Sequence, residues 1–247
     1  MTAIAPVRLP GLTERPLIEI QEQIPVYEGK ESNGLRTGVG KLVFANGDTY
    51  VGDFAEGYRH GKGVFTYDHG TREYDGDWKL SLRHGKGKET WRRGAVTAFS
   101  YEGDFYRGQP HGYGIERKPQ AVYAGDFARG VKEGTGRMVW ANGDSYDGQW
   151  RDGRLCGLGK LVTRAGVASR LHRFVRHADG SSYDGHWVHG LRHGRGKAVS
   201  KDEVYDGLWK EGLRHGEGTV VVNAHQRSGV WDKGVRIKWT TPEKLIK

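Results

Sequence analysis

The line Tyr205-Asp-Gly207-Leu-Trp209-Lys-Glu-Gly212-Leu-Arg-His215-Gly216-Glu-Gly218 recurs almost unchanged at Tyr183-Asp-Gly185-His-Trp187-Val-His-Gly190-Leu-Arg-His193-Gly194-Arg-Gly196. Looser copies begin at Tyr27, Tyr50, Tyr74, Tyr101, Tyr123 and Tyr146, and a degraded one lies near Arg227. Successive starts are 22 to 27 residues apart, with one gap of 37. A fixed period of this size marks a repeat array, in which each unit buries its apolar face only against its neighbours.

Each unit is read by offset from its tyrosine. The tyrosine, the glycine at +2 and the aromatic at +4 alternate, so in a strand all three share one face. Tyr50, Gly52 and Phe54 form one such set, and Tyr74, Gly76 and Trp78 the next. Tyr146, Gly148 and Trp150 repeat it, as do Tyr183, Gly185, Trp187 and Tyr205, Gly207, Trp209. Turn residues follow, usually with glycine at +7, and a second strand carries glycine at +11 and +13. Offset +15 continues that face with Leu42, Phe65, Met138, Leu161 and Val220. Two short alternating runs around a glycine-containing loop make a β-hairpin.

Glycine stands at +2, +11 and +13 in all eight full units. Inside a strand glycine marks a close approach, here expected from an aromatic ring of the same or the next hairpin. Two buried aromatics do not offset the entropy of ordering a whole unit, so the hairpins must stack. The expected fold is all-β, an elongated solenoid of about eight to nine stacked antiparallel β-hairpins, rising about 10 Å per repeat to a rod of about 80 Å. A proline-containing N-terminal arm and cap over 1–26 precedes the solenoid at 27–234, and a C-terminal cap or tail covers 235–247.

Composition narrows the class. The chain is 36% hydrophobic and 28% charged, which leans toward disorder, but 11% aromatic residues at regular intervals argue for order. The 40 glycines are periodic without Gly-X-Y spacing, which excludes collagen. No run of 18 apolar residues is present, and the N-terminus lacks a basic-then-apolar leader. Cys156 is the only cysteine, which excludes an internal disulfide framework and fits a reducing compartment. The expected location is cytoplasmic, and the net charge of +9 favours acidic partners.

The pattern Tyr-x-Gly-x-Trp/Phe-x-x-Gly-x-x-His-Gly-x-Gly resembles the MORN motif (membrane occupation and recognition nexus), from Tyr27 to about Gly234. The resemblance implies a stacked-hairpin solenoid. It also implies a role as scaffold or linker in cytoskeletal and ciliary assemblies, at membrane contacts, or as an appendage to enzymes. With no residues left over for an appended catalytic domain, the chain is similar to MORN-only proteins, including the radial-spoke-head type of motile cilia.

Chemistry is searched for in the remaining residues. Histidine stands at +10 in five units, as His60, His84, His111, His193 and His215. Successive copies would lie about 10 Å apart, too far to share a metal. An imidazole that closes the hairpin by a backbone hydrogen bond is the expected role. His186, His189 and His193 have helical spacing in a strand-and-turn context. A catalytic triad and a Walker loop are both absent, so no catalytic residue, metal site or cofactor is expected.

Basic residues recur at +9 as Arg36, Arg59, Arg83, Lys132, Arg192 and Arg214. Read as loop residues, they make an outward basic ladder for an acidic protein segment or an anionic lipid surface. Acidic residues at +1 (Glu28, Asp75, Glu102, Asp147, Asp184, Asp206) and +3 (Asp53, Asp77, Asp104, Asp126) make an acidic outer surface. Both stripes also read as solvated faces partly paired across strands. Nucleic acid is not expected, because the aromatics point inward, away from any base. The insertion around 163–182 carries Arg164, Arg170, Arg173 and Arg176. It fits a short basic amphipathic helix or a longer hairpin equally well, and is the expected place of partner choice.

The expected function is a non-enzymatic protein-interaction scaffold or linker in a cytoskeletal or ciliary assembly. The alternative is a peripheral membrane adaptor that binds anionic phospholipids through the basic ladder.

Overall fold

The computed structural model describes residues 25–164 and 180–246. Among them are nineteen strands and one 3₁₀ turn at Asp68–Gly70. From Val26–Ser32 to His225–Asp232 each strand pairs antiparallel with its neighbours in sequence, so this part of the chain forms a single meander. One end is the strand Val26–Ser32. At the other, Val235–Trp239 and Lys244–Leu245 both pair with His225–Asp232. The expected all-β stack of hairpins is what the chain forms.

Each hairpin turns on two residues of positive φ at +6 and +7, such as Glu56-Gly57, Arg107-Gly108 and Glu211-Gly212. Two left-handed residues in succession define the type I′ turn, whose twist matches the flanking strands. In unit three the pair is Leu80-Ser81, so a side chain occupies a place that glycine fills more readily. Ser81 is used in return: its Oγ accepts the Arg59 N–H at 3.2 Å.

The glycines divide into two kinds, where the sequence suggested one. Those at +2 and +13 face each other across the hairpin, as Gly52 does Gly63 and Gly207 does Gly218. The unit's own tyrosine lies in their slot: a Cβ on Gly52 would meet Tyr50 Oη at 2.7 Å, and one on Gly207 would meet Gly218 Cα at 2.6 Å. The expected ring in the glycine slot is therefore present. The +11 glycine has a different task. Gly61, Gly85, Gly157 and Gly194 have φ between 52° and 57° and sit where the register slips by a bulge. The core tyrosine does not fill their place. The +3 side chain caps the bulge instead, as Asp53 accepts the Lys62 N–H and Asp77 the Lys86 N–H, each at 2.8 Å.

The core is a file of rings along one face of the sheet. Tyr50, Tyr74, Tyr101, Tyr123, Tyr146, Tyr183 and Tyr205 are fully or almost fully buried. Each packs edge-on against the +4 aromatic of its own unit and that of the next, as Tyr74 does against Trp78 at 5.2 Å and Phe105 at 4.9 Å. Edge-to-face pairs of this kind add to the stabilisation from area burial. The Tyr hydroxyls donate to the +3 carbonyl, at 2.9 Å from Tyr50 to Asp53 and 3.0 Å from Tyr205 to Leu208. The indoles reach back one unit: Trp78, Trp187 and Trp209 Nε1 donate to Gly63, Gly159 and Gly196 O, each at 2.9 Å. Glu31 leaves unit one without its +4 ring, and Phe54 of unit two packs on Tyr27 at 5.2 Å.

Candidate interaction surfaces

The basic residues at +9 do not lie in the loop or face outward. They stand within the second strand, directly across from the +4 residue: Glu31–Arg36 in unit one, and then the aromatic pairs Phe54–Arg59, Trp78–Arg83, Phe127–Lys132, Trp187–Arg192 and Trp209–Arg214. That alternation places them on the ring face. Arg36 lies over Tyr27 at 5.3 Å, Arg59 over Trp78 at 4.5 Å and Arg192 over Trp209 at 3.9 Å. Cations over aromatic faces gain from the ring quadrupole, and more so when desolvated.

The same guanidiniums clamp the next turn. Arg59, Arg83 and Arg192 Nη2 donate to the +7 carbonyls of Ser81, Gly108 and Gly212 at 2.9, 2.6 and 2.9 Å. Their backbone carbonyls accept the N–H groups of those same three residues at 2.9, 2.8 and 2.9 Å. Arg192 is only 8% exposed, and burial lowers its pKa to about 10. Burial also lowers that of Arg59. A cation held this way stacks repeats and is poorly placed to meet a flat surface.

Offset +15 carries two acids that sequence reasoning did not single out. Glu89 is 5% exposed and pairs with Arg83 at 2.9 Å and with Arg72, while Trp91 Nε1 donates to it at 3.1 Å. Glu116 accepts from Lys132 at 2.7 Å and pairs with Lys118 at 3.1 Å. Burial pushes the Glu116 carboxyl up, but the two ammoniums outweigh it and hold the group below its ordinary value. The signal was present in the repeat: both glutamates sit where other units have Leu, Phe or Met.

The extra residues of unit three lengthen its second strand to Leu82–Arg93 and the following one to Val96–Tyr106. Trp91 (45% exposed) and Val96 (67%) stand at this extended tip, beside exposed Arg92 and Arg93. Arg72 lies over the Trp91 ring at 4.8 Å, and Phe99 packs on it at 5.4 Å. An accessible Trp among arginines has the composition of an interface anchor.

The opposite face is mixed in charge, where an acidic surface was expected. Acids at +1 register against cations at +14, as in Glu28–Lys41, Asp75–Lys88, Asp147–Lys160 and Asp184–Lys197. Lys62 and Lys86 also reach the +3 acids of the next unit, Asp77 and Asp104, at 2.6 Å each. Such exposed pairs contribute little to stability.

The +10 position acts through its backbone. Tyr74 and Tyr183 Oη lie 3.3 and 3.4 Å from the carbonyls of His84 and His193, so the expected imidazole closure is replaced by a carbonyl. His111 is exposed, and His215 Nδ1 lies 3.2 Å from Asp232. No cluster of three or more metal-ligating side chains occurs among the described residues. Burial raises the Cys156 pKa, which works against thiolate chemistry.

The insertion is fixed at its base. Thr163 N donates to Ser181 O at 2.8 Å, and Asp144 Oδ1 accepts the Arg164 N–H at 2.9 Å. Arg164 is exposed. Arg170, Arg173 and Arg176, and the choice between helix and hairpin, lie outside the described residues, as does the N-terminal arm up to residue 24.

A family model described as MORN repeat matches residues 27–49, 50–72, 74–96, 101–120, 123–145, 146–166, 183–203 and 205–221, well over half of the chain. Similar curated proteins include Alsin of Rattus norvegicus, 34% identical over 73 residues that cover 27% of this chain and 4% of Alsin. Alsin of Homo sapiens is 33% identical over the same length, with the same coverage of each chain. The ALS2 C-terminal-like protein of Bos taurus is 39% identical over 66 residues, 24% of this chain and 7% of that protein. The chain thus spans less than a tenth of the length of these relatives.

Proposed function

The chain belongs to the MORN-repeat family, and we propose that it works as a non-enzymatic scaffold or linker holding other proteins in a cytoskeletal, ciliary or flagellar assembly of the cytoplasm. MORN repeats form a binding-repeat family, which supports the scaffold reading in its general form. The carrying observation is the division of labour in each unit. Tyrosine, the +2 and +13 glycines, the +4 ring and most +9 cations are consumed in stacking. Variable side chains are left to the mixed-charge face, the Trp91 tip and the insertion.

The membrane alternative was built on an outward basic ladder, and nothing in the +9 geometry favours it: those cations already hold rings, carbonyls and glutamates. Sedimentation with phosphatidylserine vesicles at physiological salt tests it, and binding there would restore it.

Affinity capture from the source cell tests the scaffold reading. Deleting 166–179 leaves the Thr163–Ser181 clasp intact, and Trp91→Ala removes the exposed anchor. The expected result is loss of a cytoskeletal or axonemal partner with one or both variants while the fold survives. Capture unchanged by both, or localisation away from any cytoskeletal structure, would overturn the assignment.

A further inference from the structure

Unit seven departs from the others at +15. Ala198 stands where other units place Leu42, Phe65, Met138, Leu161 and Val220, or the glutamates Glu89 and Glu116. An open cavity of about 220 Å³ lies beside it, lined among others by Arg192, Ala198, Glu203, Trp209, Leu213 and Arg214. Arg192 is more than nine-tenths buried there, and its Nε has no hydrogen-bond partner. In unit three the corresponding cation, Arg83, is met by the +15 carboxylate Glu89. In unit four the +15 carboxylate Glu116 meets Lys132 of the next unit. Unit seven has the cations and lacks the carboxylate.

Glu203 enters from the loop before unit eight, but it is engaged by Arg214 at 2.7 Å. Of the three charged groups lining the cavity, two are positive and one negative, which leaves one uncompensated positive charge. A buried guanidinium short of a partner is costly, and charge-assisted pairing with a planar carboxylate is its strongest remedy.

We propose that this cavity is a receptor for a single carboxylate side chain, presented by a glutamate-rich segment of a partner protein, which takes above Ala198 the place that Glu89 takes in unit three. The proposal rests on the scaffold reading and names the partner's chemistry. A monoanionic carboxylate matches the single excess charge; a dianionic phosphate overcompensates it. The aliphatic stem of the glutamate would lie where unit three has its own, and the Trp209 ring stacks on the guanidinium at 3.9 Å.

The test uses the full chain labelled with ¹⁵N, titrated with a blocked glutamate-rich peptide, its glutamine counterpart, inorganic phosphate and phosphatidylserine vesicles. The glutamate peptide is expected to shift the Arg192 Nε–H and Trp209 indole resonances, and the glutamine peptide to leave them unmoved. Ala198→Glu supplies the carboxylate internally and Ala198→Leu fills the space as Leu42 and Leu161 do. Each is expected to weaken peptide binding about tenfold or more, the worth of one charge-assisted contact. Absence of the shift, equal affinity in both folded variants, or a response to phosphate or vesicles without one to the peptide would overturn the proposal. Cellular partner capture unaffected by either variant would reject the cavity and leave the scaffold reading in place.

Discussion

The two faces of this one sheet both carry cations and use them in opposite ways. Arg192 and Arg195 are three residues apart on the strand Leu191–Val199. Arg192 lies on the ring face, buried, stacked on Trp209 and bonded to the next turn. Arg195 lies on the other face, exposed, in register with Leu208. The lesson is that charge sign and period locate a basic residue in the repeat, while the alternation of the strand decides whether it is available to a partner.

The largest expected effect on this contrast is collective and reached by pH. Burial raises the hydroxyl pKa of Tyr50, Tyr74, Tyr101, Tyr123, Tyr146 and Tyr183, and that of Tyr205 to about 12. A group raised on folding contributes stability that is complete below its ordinary value near 10 and is lost as pH climbs toward the folded value. Arg192 and Arg59, lowered by burial, act in the opposite sense, but they are two groups against seven. Denaturant unfolding should therefore show stability level between pH 7 and about 9.5 and falling steeply above about 10. A flat profile to pH 11 would mean that the rings are not buried as described.

Within single units, Gly207→Ala should cost more than about 3 kcal/mol, because the new Cβ strikes the facing Gly218 backbone and the Tyr205 hydroxyl. Gly190→Ala, at a turn with open space around it, should cost only about 1 kcal/mol for its positive φ. Trp209→Phe removes the bond to Gly196 O and should cost about 1–3 kcal/mol, measured by urea unfolding. Its smallness relative to the glycine effect would follow from Phe54, Phe105 and Phe127, which serve the same place elsewhere. On the outer face, Lys62→Ala breaks the ion pair with Asp77 and should change stability by no more than about 1 kcal/mol, and less in high salt.

The period, the hairpin and the ring file were legible because they rest on alternation and on glycine, which side-chain identity reports directly. The +9 error arose from placing that residue in the turn. Pro110 and Leu155 stand at +9 in units four and six, and a buried Leu155 there marks the position as core-facing. The +11 glycine was grouped with its neighbours because a bulge leaves no trace in residue type; it depends on φ and on the +3 acid that caps it. Glu89 and Glu116 break the apolar series at +15, yet their pairing with cations from the same or the next unit is a matter of register. The Ala198 cavity is an absence of atoms, visible only once the neighbours that leave it are placed.

The placement of the +9 cations in the core of the stack is what sets the two faces apart. Equilibrium unfolding of Arg192→Glu and Arg195→Glu, two charge reversals on one strand, tests it directly. A loss of about 3–5 kcal/mol or failure to fold is expected for Arg192→Glu, which buries an unpaired carboxylate against the rings. For Arg195→Glu a change within about 0.5 kcal/mol is expected. Equal, small effects for the two would contradict this placement and return the +9 cations to the surface.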